Sequence, residues 1–517
     1  MMLDANMEKQ LQDLFAQLTN TIEFFFAKTG HPDQKQLLEL LEEVSSLSER
    51  LAVRENTAHT AAFPEFGILK NGQETGIHFK GIPTGHEFSS LILAILHCDD
   101  QGRKFDEGMA KRIRNLKCPI EIKTYVSLTC ENCPDVVQAL NQMAVVHQNF
   151  KHTMIDGAYV QDEIEKLGIQ GVPSIVVNEQ LIHSGKISVT ELLAKLEKTF
   201  GAEKSNQETT DLGQFDIAVI GGGPAGASAA IYSARKGLKT VLIADKMGGQ
   251  VQETKGIENL VSVVYTEGPR LAAQLQEHIL SYPVQLLEHR RVKSISKEKL
   301  NHILLESGEF LTSKSVIIAT GAKWRELGIP GEKEYLGRGV AFCPHCDGPF
   351  YKGKKIAVVG GGNSGVEAAI DLAGIANEVI LIEFGDSLRA DQILVDKLKS
   401  LANTSIITSA RSKAISGDGK KVNRLIYEDR KSGNDISVDL DGIFVQIGLL
   451  PNTQFLKDTV ELTKTGEIIV DPKGRTSAPG IYAAGDVTTT PYKQIIIAMG
   501  DGAKVALSAF EDSMYKG

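Results

Sequence analysis

Short apolar runs bounded by glycine recur from residue 216 onward. They read DIAVI (216–220), TVLIAD (240–245), SVIIATG (315–321), KIAVV (355–359), EVILIEF (378–384) and GIYAAGD (480–486). Runs this short and this rich in β-branched residues predict strands buried on both faces, as in a parallel sheet. Apolar residues at helical spacing lie between them, such as Ala229, Ile231 and Ala234 ahead of Gly237. Strand and helix in alternation predict an α/β fold.

The first 200 residues carry a different arrangement. EIKTYVSLT (121–129) predicts a strand, and Val136, Val137, Leu140, Met143 and Ala144 predict a helix after it. GVPSIVVNEQ (171–180) predicts an X-Pro turn, a strand and a hairpin, and VTELLAKLEKTF (189–200) a closing helix. TIEFFFAKTGHPDQ (21–34) aligns with EIKTYVSLTCENCPD at an offset of about 100, so that Gly30 stands opposite Cys130. Phe63-Pro64 falls opposite Val172-Pro173, and GIPTGHEFSSLILAIL (81–96) opposite the closing helix. Two similar units in tandem, 1–105 and 106–200, are expected; the alternative is a coincidence of αβ patterning. The polar stretch GAEKSNQETTDLG has no apolar period, so a linker is expected over 201–211.

The turns after two of the strands carry chemistry. DIAVI runs into Gly221-x-Gly223-x-x-Gly226, with Pro224 and Ala225 inside the motif, and TVLIAD ends at Asp245 about 20 residues later. KIAVV runs into Gly360-x-Gly362-x-x-Gly365, with Asn363 and Ser364 inside it, and EVILIEF places Glu383 at its end. A glycine-rich turn between strand and helix is the dinucleotide-binding fingerprint: the glycines allow close backbone approach, and the helix N-terminus faces the pyrophosphate. Two fingerprints suggest two dinucleotides. Glu383 can accept hydrogen bonds from a ribose 2′-hydroxyl and would repel a 2′-phosphate, although Arg389 follows it.

Composition narrows the field. The net charge of −9 and pI of about 5.8, with no basic stretch, give nucleic-acid binding no electrostatic support. No apolar run reaches the length of a membrane span, and the start MMLDANMEKQLQDLF lacks the form of a signal peptide, so a cytoplasmic protein is expected. Four of the six cysteines form CxxC pairs, Cys130/Cys133 and Cys343/Cys346. Cys98 and Cys118 read as small buried residues. One zinc site shared by pairs this far apart is disfavoured, so no metal is expected. In a reducing compartment such pairs are redox-active rather than structural. Cys130, at an expected helix N-terminus, is favoured as a thiolate, and Cys133 one turn on can resolve a mixed disulfide. Asp347, directly behind Cys346, can exchange a proton with a thiol, and equally fits a turn residue in CDGPF.

Strand–CxxC–helix followed by X-Pro–strand resembles thioredoxin and glutaredoxin, which implies a cis Val172–Pro173 bond beside the dithiol. The ATG segment at Thr320-Gly321 and the GD segment at Gly485-Asp486 resemble the two-dinucleotide-binding flavoproteins. With MGGQ (ending at Gln250), IEN (ending at Asn259), CPHCDG, GGGNSG and Tyr492, Gln494 and Ile495 in order, residues 212–517 resemble low-molecular-weight thioredoxin reductases throughout. The whole chain resembles the flavoprotein subunits of alkyl hydroperoxide reductases. The resemblance implies an FAD domain split over 212–327 and 451–517, with an NAD domain at 328–450 inserted. The first fingerprint would hold FAD, together with Gln250, Asn259, Thr320, Gly321, Gly485, Asp486 and Gln494, and the second NADH. It also implies a homodimer and a two-cysteine peroxiredoxin as partner. Electrons would pass from NADH to FAD, to Cys343–Cys346 with Cys346 nearest the flavin, to Cys130–Cys133, and on to the peroxiredoxin disulfide. The first N-terminal unit, without a CxxC pair, would take no part in thiol chemistry.

Overall fold

Isoleucine, phenylalanine and valine at alternating and adjacent positions drive the first eight strands into one sheet. In a computed structural model these are β1 (Ile22–Lys28), β2 (Leu51–Thr60), β3 (Glu65–Lys70), β4 (Gln73–Lys80), β5 (Ile120–Val126), β6 (Phe150–Asp156), β7 (Ser174–Val177) and β8 (Gln180–Ser184). The structure describes residues 4–102, 104–117, 119–169, 171–202, 210–254, 256–456 and 458–515, without the side chains of Glu253, His345 and Cys346. Cys118, most of the expected linker and the Cys346 side chain therefore lie outside the described residues. The chain divides into two compact units, Met1–Glu208 and Thr209–Gly517.

In the first unit the strand order is β2-β1-β3-β4-β6-β5-β7-β8. Each half of the sheet repeats one plan. Two parallel strands are linked by a helix, Gln34–Ser45 in one half and Cys133–Val146 in the other, and an antiparallel hairpin follows. A closing helix then packs on, Phe88–Cys98 and Val189–Phe200 respectively. Both hairpins turn on residues with positive φ, Asn71-Gly72 and Asn178-Glu179, the combination that matches strand twist in a two-residue turn. The halves join where β4 pairs in parallel with β6, from Ile77↔His152 to Lys80↔Ile155. One apolar core runs through both, from Leu11 and Phe24 to Val137 and Leu196.

Local signals match their elements closely here. Val136, Val137, Leu140, Met143 and Ala144 are all buried on the Cys133–Val146 helix. Ser188 and Glu191 close a capping box on the helix that begins at Val189. The Val172–Pro173 bond is cis. One expectation changes: the helix starts at Cys133 behind Asn132, so Cys130 precedes it, its N–H donating to the Ser127 carbonyl at 2.9 Å.

The second unit holds two nucleotide-fold sheets. In the first, Asp211–Ile220 is central, with Thr240–Ala244 parallel on one side and Phe310–Ile318 parallel on the other. Ile481–Ala483 returns to pair with Phe310–Ile318. The central strand starts five residues earlier than its apolar run, because Asp211 pairs with Phe310 and Gln214 with Thr312; Asp211, expected at the end of the linker, is therefore strand. The strand expected over 315–321 stops at Ile318, and the chain then turns through Gly321 at φ 67°. The second sheet is parallel, in the order Val340–Ala341, Gly442–Val445, Lys355–Val359, Glu378–Ile382, Thr404–Ile407. The two chain crossings between the sheets, Ala322–Trp324 and Leu449–Pro451, pair with each other antiparallel.

Behind the Cys133–Val146 helix the core contains a polar chain. His152 is fully buried, with Nδ1 2.7 Å from Asn141 Oδ1 and Nε2 2.9 Å from Thr124 Oγ1. Burial pushes its pKa down to about 3, and that of His78 to about 4. An unfolded chain takes up these protons near the ordinary value of 6.5, whereas the folded unit refuses them. Their contribution is complete above pH 6.5 and is lost as pH falls toward 4 and then 3. His152→Gln should therefore lower the melting temperature at pH 7, by roughly 1–3 kcal/mol of stability, yet flatten the acid loss between pH 6.5 and 4. Thermal unfolding followed by circular dichroism at several pH values measures both; an unchanged acid slope in the variant would remove His152 as its source.

Candidate active site

The glycine-rich turns of the second unit are shaped by backbone meeting backbone. A Cβ on Gly221, at φ 118°, would lie 2.1 Å from the Ala319 carbonyl oxygen, and one on Gly226 would lie 1.8 Å from that of Gly221. At the second turn a Cβ on Gly360, at φ 126°, would lie 2.3 Å from the Gln446 oxygen, and one on Gly365 1.9 Å from that of Gly360. The middle glycines differ: nothing lies within 4 Å of a Cβ at Gly223 or Gly362. Those two open faces, each at the start of a helix (Pro224–Arg235 and Asn363–Ala373) whose first N–H groups lack intrahelical partners, form cradles that fit a dinucleotide pyrophosphate.

Other expected residues gather around these turns. Gly485 lies against Ala225, where a Cβ would come within 2.9 Å of the alanine side chain. Asp486 is largely buried, and burial pushes its carboxyl upward, with Lys493 opposing. Thr320 Oγ1 donates to the Asn452 carbonyl and Asn452 Nδ2 to the Thr320 carbonyl, both at 2.8 Å, which braces the turn before Gly321. The Gln250 amide, oriented to satisfy its neighbours, donates to the Ala322 carbonyl at 2.7 Å and accepts from Trp324 Nε1 at 2.9 Å. Gln494 Oε1 accepts from Asn259 Nδ2 at 3.1 Å.

Two side chains expected at the nucleotide also hold contacts within the protein. Glu383, expected to face a ribose, is 2% exposed, and each of its oxygens accepts a backbone N–H group. Gly361 N donates to Oε2 at 2.6 Å and Gly385 N to Oε1 at 2.8 Å. Asn363, expected beside the nucleotide, turns its amide to Asp391. Sequence spacing places these residues at the site but cannot show what else competes for their polar atoms.

The downstream cysteine pair opens a short helical turn, Pro344–Asp347. Cys343 is half-buried and disulfide-bonded. Gln494 Nε2 lies 4.0 Å from its sulfur, so the start of the Ile495–Tyr515 helix meets the cysteine turn. Asp347 N donates to the Cys343 carbonyl at 3.0 Å, and burial pushes the Asp347 carboxyl up to about 6.

In the first unit Cys130 and Cys133 form a disulfide. Cys133 is fully buried at the start of its helix, whereas Cys130 is half-exposed, with Sγ 3.9 Å from the Val172 carbonyl. The sequence pattern passes over one residue of the half that lacks a CxxC pair. Glu87 ends a tight turn, Gly85–Glu87, that packs against the Cys133–Val146 helix, and His86 N donates to the Leu128 carbonyl at 3.1 Å. Glu87 is fully buried; burial pushes its carboxyl up to about 7, with Ser90 offsetting part of the rise. It lies just ahead of the apolar run LILAIL in GIPTGHEFSSLILAIL, and no motif marks it.

A family model described as pyridine nucleotide-disulphide oxidoreductase matches residues 215–502, more than half of the chain, and one described as thioredoxin domain matches residues 120–198. The F subunit of the alkyl hydroperoxide reductase of Pseudomonas aeruginosa is 49% identical over 99% of this chain and 98% of its own. A Bacillus subtilis protein named NADH dehydrogenase is 46% identical over 99% of each. Among solved structures, a thioredoxin reductase from Streptococcus pyogenes covers 58% of this chain and 97% of its own, with 37% identity and a TM-score of 0.55. The thioredoxin reductase of Giardia duodenalis covers 58% and 98%, with 34% identity and a TM-score of 0.56.

The unequal exposure of the two upstream sulfurs has a direct consequence. After mild reduction, limiting iodoacetamide should alkylate Cys130 at least ~10-fold faster than Cys133, because a thiolate must be reached to react. Cys98, buried with its thiol pushed up to about 12, should stay unmodified in the folded protein. Peptide mass spectrometry of timed quenches measures this, and faster labelling of Cys133 would reverse the order of attack.

Proposed function

The chain belongs to the family of alkyl hydroperoxide reductase F subunits, built on a pyridine nucleotide-disulphide oxidoreductase core, and from that membership we propose an electron relay that ends on a two-cysteine peroxiredoxin. The enzyme is an NADH-dependent, FAD-containing disulfide reductase of the peroxide-defence system. The observation that carries the relay is one disulfide in each unit, Cys130–Cys133 upstream and one that includes Cys343 downstream. FAD, when bound, takes a hydride from NADH and supplies an electron pair to a disulfide.

Gly221, Gly223 and Gly226 would hold the FAD pyrophosphate, and Gly360, Gly362 and Gly365 that of NADH. Glu383, fixed by two backbone N–H groups, keeps a carboxylate at the end of its strand, which favours NADH over NADPH. Reduction leaves Cys343 and Cys346 as thiol and thiolate. Cys343 then attacks the accessible Cys130 sulfur, and Cys133 departs as a thiolate. Cys346 closes back on Cys343 and releases reduced Cys130. Cys130 next attacks the partner's disulfide, and Cys133 resolves that mixed disulfide. Glu87 lies in the turn that packs against the helix beginning at Cys133, and its raised carboxyl would be a proton carrier for the buried sulfur. The first N-terminal half thus serves as a degenerate copy that contributes this carboxyl and no CxxC pair.

No helix among the described residues is long and apolar enough to cross a membrane. That observation and a relay built on reduced thiols support a cytoplasmic enzyme. Exposed Val261, Val264 and Tyr265 on the FAD-domain side support a homodimer.

The test is peroxide-dependent NADH oxidation with a purified two-cysteine peroxiredoxin. Full-length protein should turn over with peroxide; protein lacking residues 1–210 should keep NADH-to-dye transfer and lose peroxiredoxin reduction by at least ~100-fold. Full activity of the truncated form would overturn the relay. NADH consumption matched by oxygen uptake without peroxiredoxin would instead support an oxidase, the reading that the NADH dehydrogenase name of the Bacillus subtilis relative favours.

Asp347 adds a pH dependence. Its carboxyl, near about 6, carries a proton below that pH and loses it as pH rises, so proton delivery to the adjacent thiolate falls off above about 6. Asp347→Asn should lower kcat for peroxiredoxin-coupled turnover by roughly 10- to 100-fold, erase that limb and leave the KM for NADH unchanged. Profiles of kcat against pH for both proteins decide it; a limb that survives substitution belongs to another group.

A further inference from the structure

The second glycine-rich turn is held by one following segment, Glu383–Asp391. Gly361 N donates to Glu383 Oε2 at 2.6 Å, and the Gly361 carbonyl accepts from Arg389 N at 2.8 Å. Asn363 then engages Asp391 through both ends of its amide. Oδ1 accepts from Asp391 N at 2.8 Å, and Nδ2 donates to Asp391 Oδ2 at 3.0 Å. Each contact pins the same short loop, at an N–H, a carbonyl and a side chain in turn.

Asp391 occupies the residue before the Gln392–Lys399 helix, where an aspartate ordinarily caps the first-turn N–H groups of its own helix. It makes no such bond. Its carboxylate is turned toward Asn363, the first residue of the Asn363–Ala373 helix, across 28 positions of sequence. A local preference given up in favour of a longer contact marks a position with another task.

We propose that Asn363 and Asp391 form a clasp that positions the glycine-rich loop to receive the pyridine-nucleotide pyrophosphate, so that Asn363 acts as a positioning residue and not as a ligand. The inference rests on the assignment of this turn to the pyridine nucleotide. Glycine-rich backbone has the most conformational freedom to lose on binding, and a loop ordered beforehand lowers that cost. The Asn363 amide also meets the Asp391 carboxylate at the very turn where an anionic ligand must arrive. Its N–H is donated to one oxygen of that carboxylate. The clasp acts on nucleotide affinity and leaves the dithiol chemistry untouched.

The experiment uses full-length, FAD-loaded protein. Calorimetric titrations are run with NAD⁺ and with ADP-ribose, which carries the pyrophosphate and both riboses without the nicotinamide. Asn363→Ala and Asp391→Ala should each weaken both ligands by about 5- to 20-fold, the loss expected for one or two hydrogen bonds. Asp391→Asn keeps an oxygen for Asn363 Nδ2 and should stay within about threefold of the parent. The double alanine variant should bind no more weakly than Asn363→Ala, because that change already removes both bonds of the clasp, whereas Asp391→Ala leaves the backbone donation to Asn363 Oδ1. The KM for NADH should rise in step while kcat stays within about twofold. Both positions are exposed, and the flavin spectrum of each variant reports that the fold is kept. Unaltered affinity in the alanine variants, additive losses in the double variant, or an Asp391→Asn protein as weak as Asp391→Ala would each overturn the clasp. A parent protein that binds neither ligand would overturn the nucleotide assignment itself, and the clasp with it.

Discussion

Backbone packed directly against backbone is the constraint on which the reductase core depends. Where the strand Asp211–Ile220 ends, Gly221 comes so close to the Ala319 carbonyl that a side chain has no room, and Gly360 repeats this against Gln446. That approach sets the angle at which each helix leaves its strand, and with it the direction of the helix N-terminus. The middle glycine of each turn then faces open space, which is the room a pyrophosphate needs. The ends of neighbouring strands supply the remaining walls: Thr320-Gly321 and Gly485-Asp486 at one turn, Glu383 at the other. The cysteine turn at Cys343 meets the first site through Gln494, whose amide reaches both Asn259 and the sulfur.

The upstream unit solves a different problem, the presentation of one sulfur and the concealment of its partner. Cys133 is sealed by the apolar face that begins its helix, and Cys130 sits just outside the helix beside a cis X-Pro turn. Fusion of the two half-sheets through β4 and β6 lets a turn from the half without a CxxC pair reach the dithiol loop. The half without a CxxC pair is therefore still part of the folded unit. It buries Glu87, and it completes a core that neither half closes alone.

Much of this architecture was legible along the chain. Apolar runs bounded by glycine marked the core strands, and the helix Val189–Phe200 matched its pattern residue for residue. Legibility failed where an element's extent depends on a distant partner. Asp211 read as the end of a linker, yet it forms strand because Phe310 lies alongside. Cys130 read as helical because a CxxC precedes an amphipathic stretch, but the chain first turns at Ser127. Glu87 was invisible as a site residue, since nothing near it in sequence indicates that Leu128 and the Cys133 helix will cover it.

By itself the sequence determined the α/β class, the two glycine-rich turns and the two cysteine pairs, because each is written within about 30 contiguous residues by steric and periodic rules. Only the tertiary structure decided which sulfur of the upstream pair is exposed, that the Glu383 carboxylate is already engaged, and that Asn363 turns to Asp391 rather than outward. Those are outcomes of competition for burial and for hydrogen-bond partners among groups far apart in the chain. Spacing names the competitors, and packing selects among them.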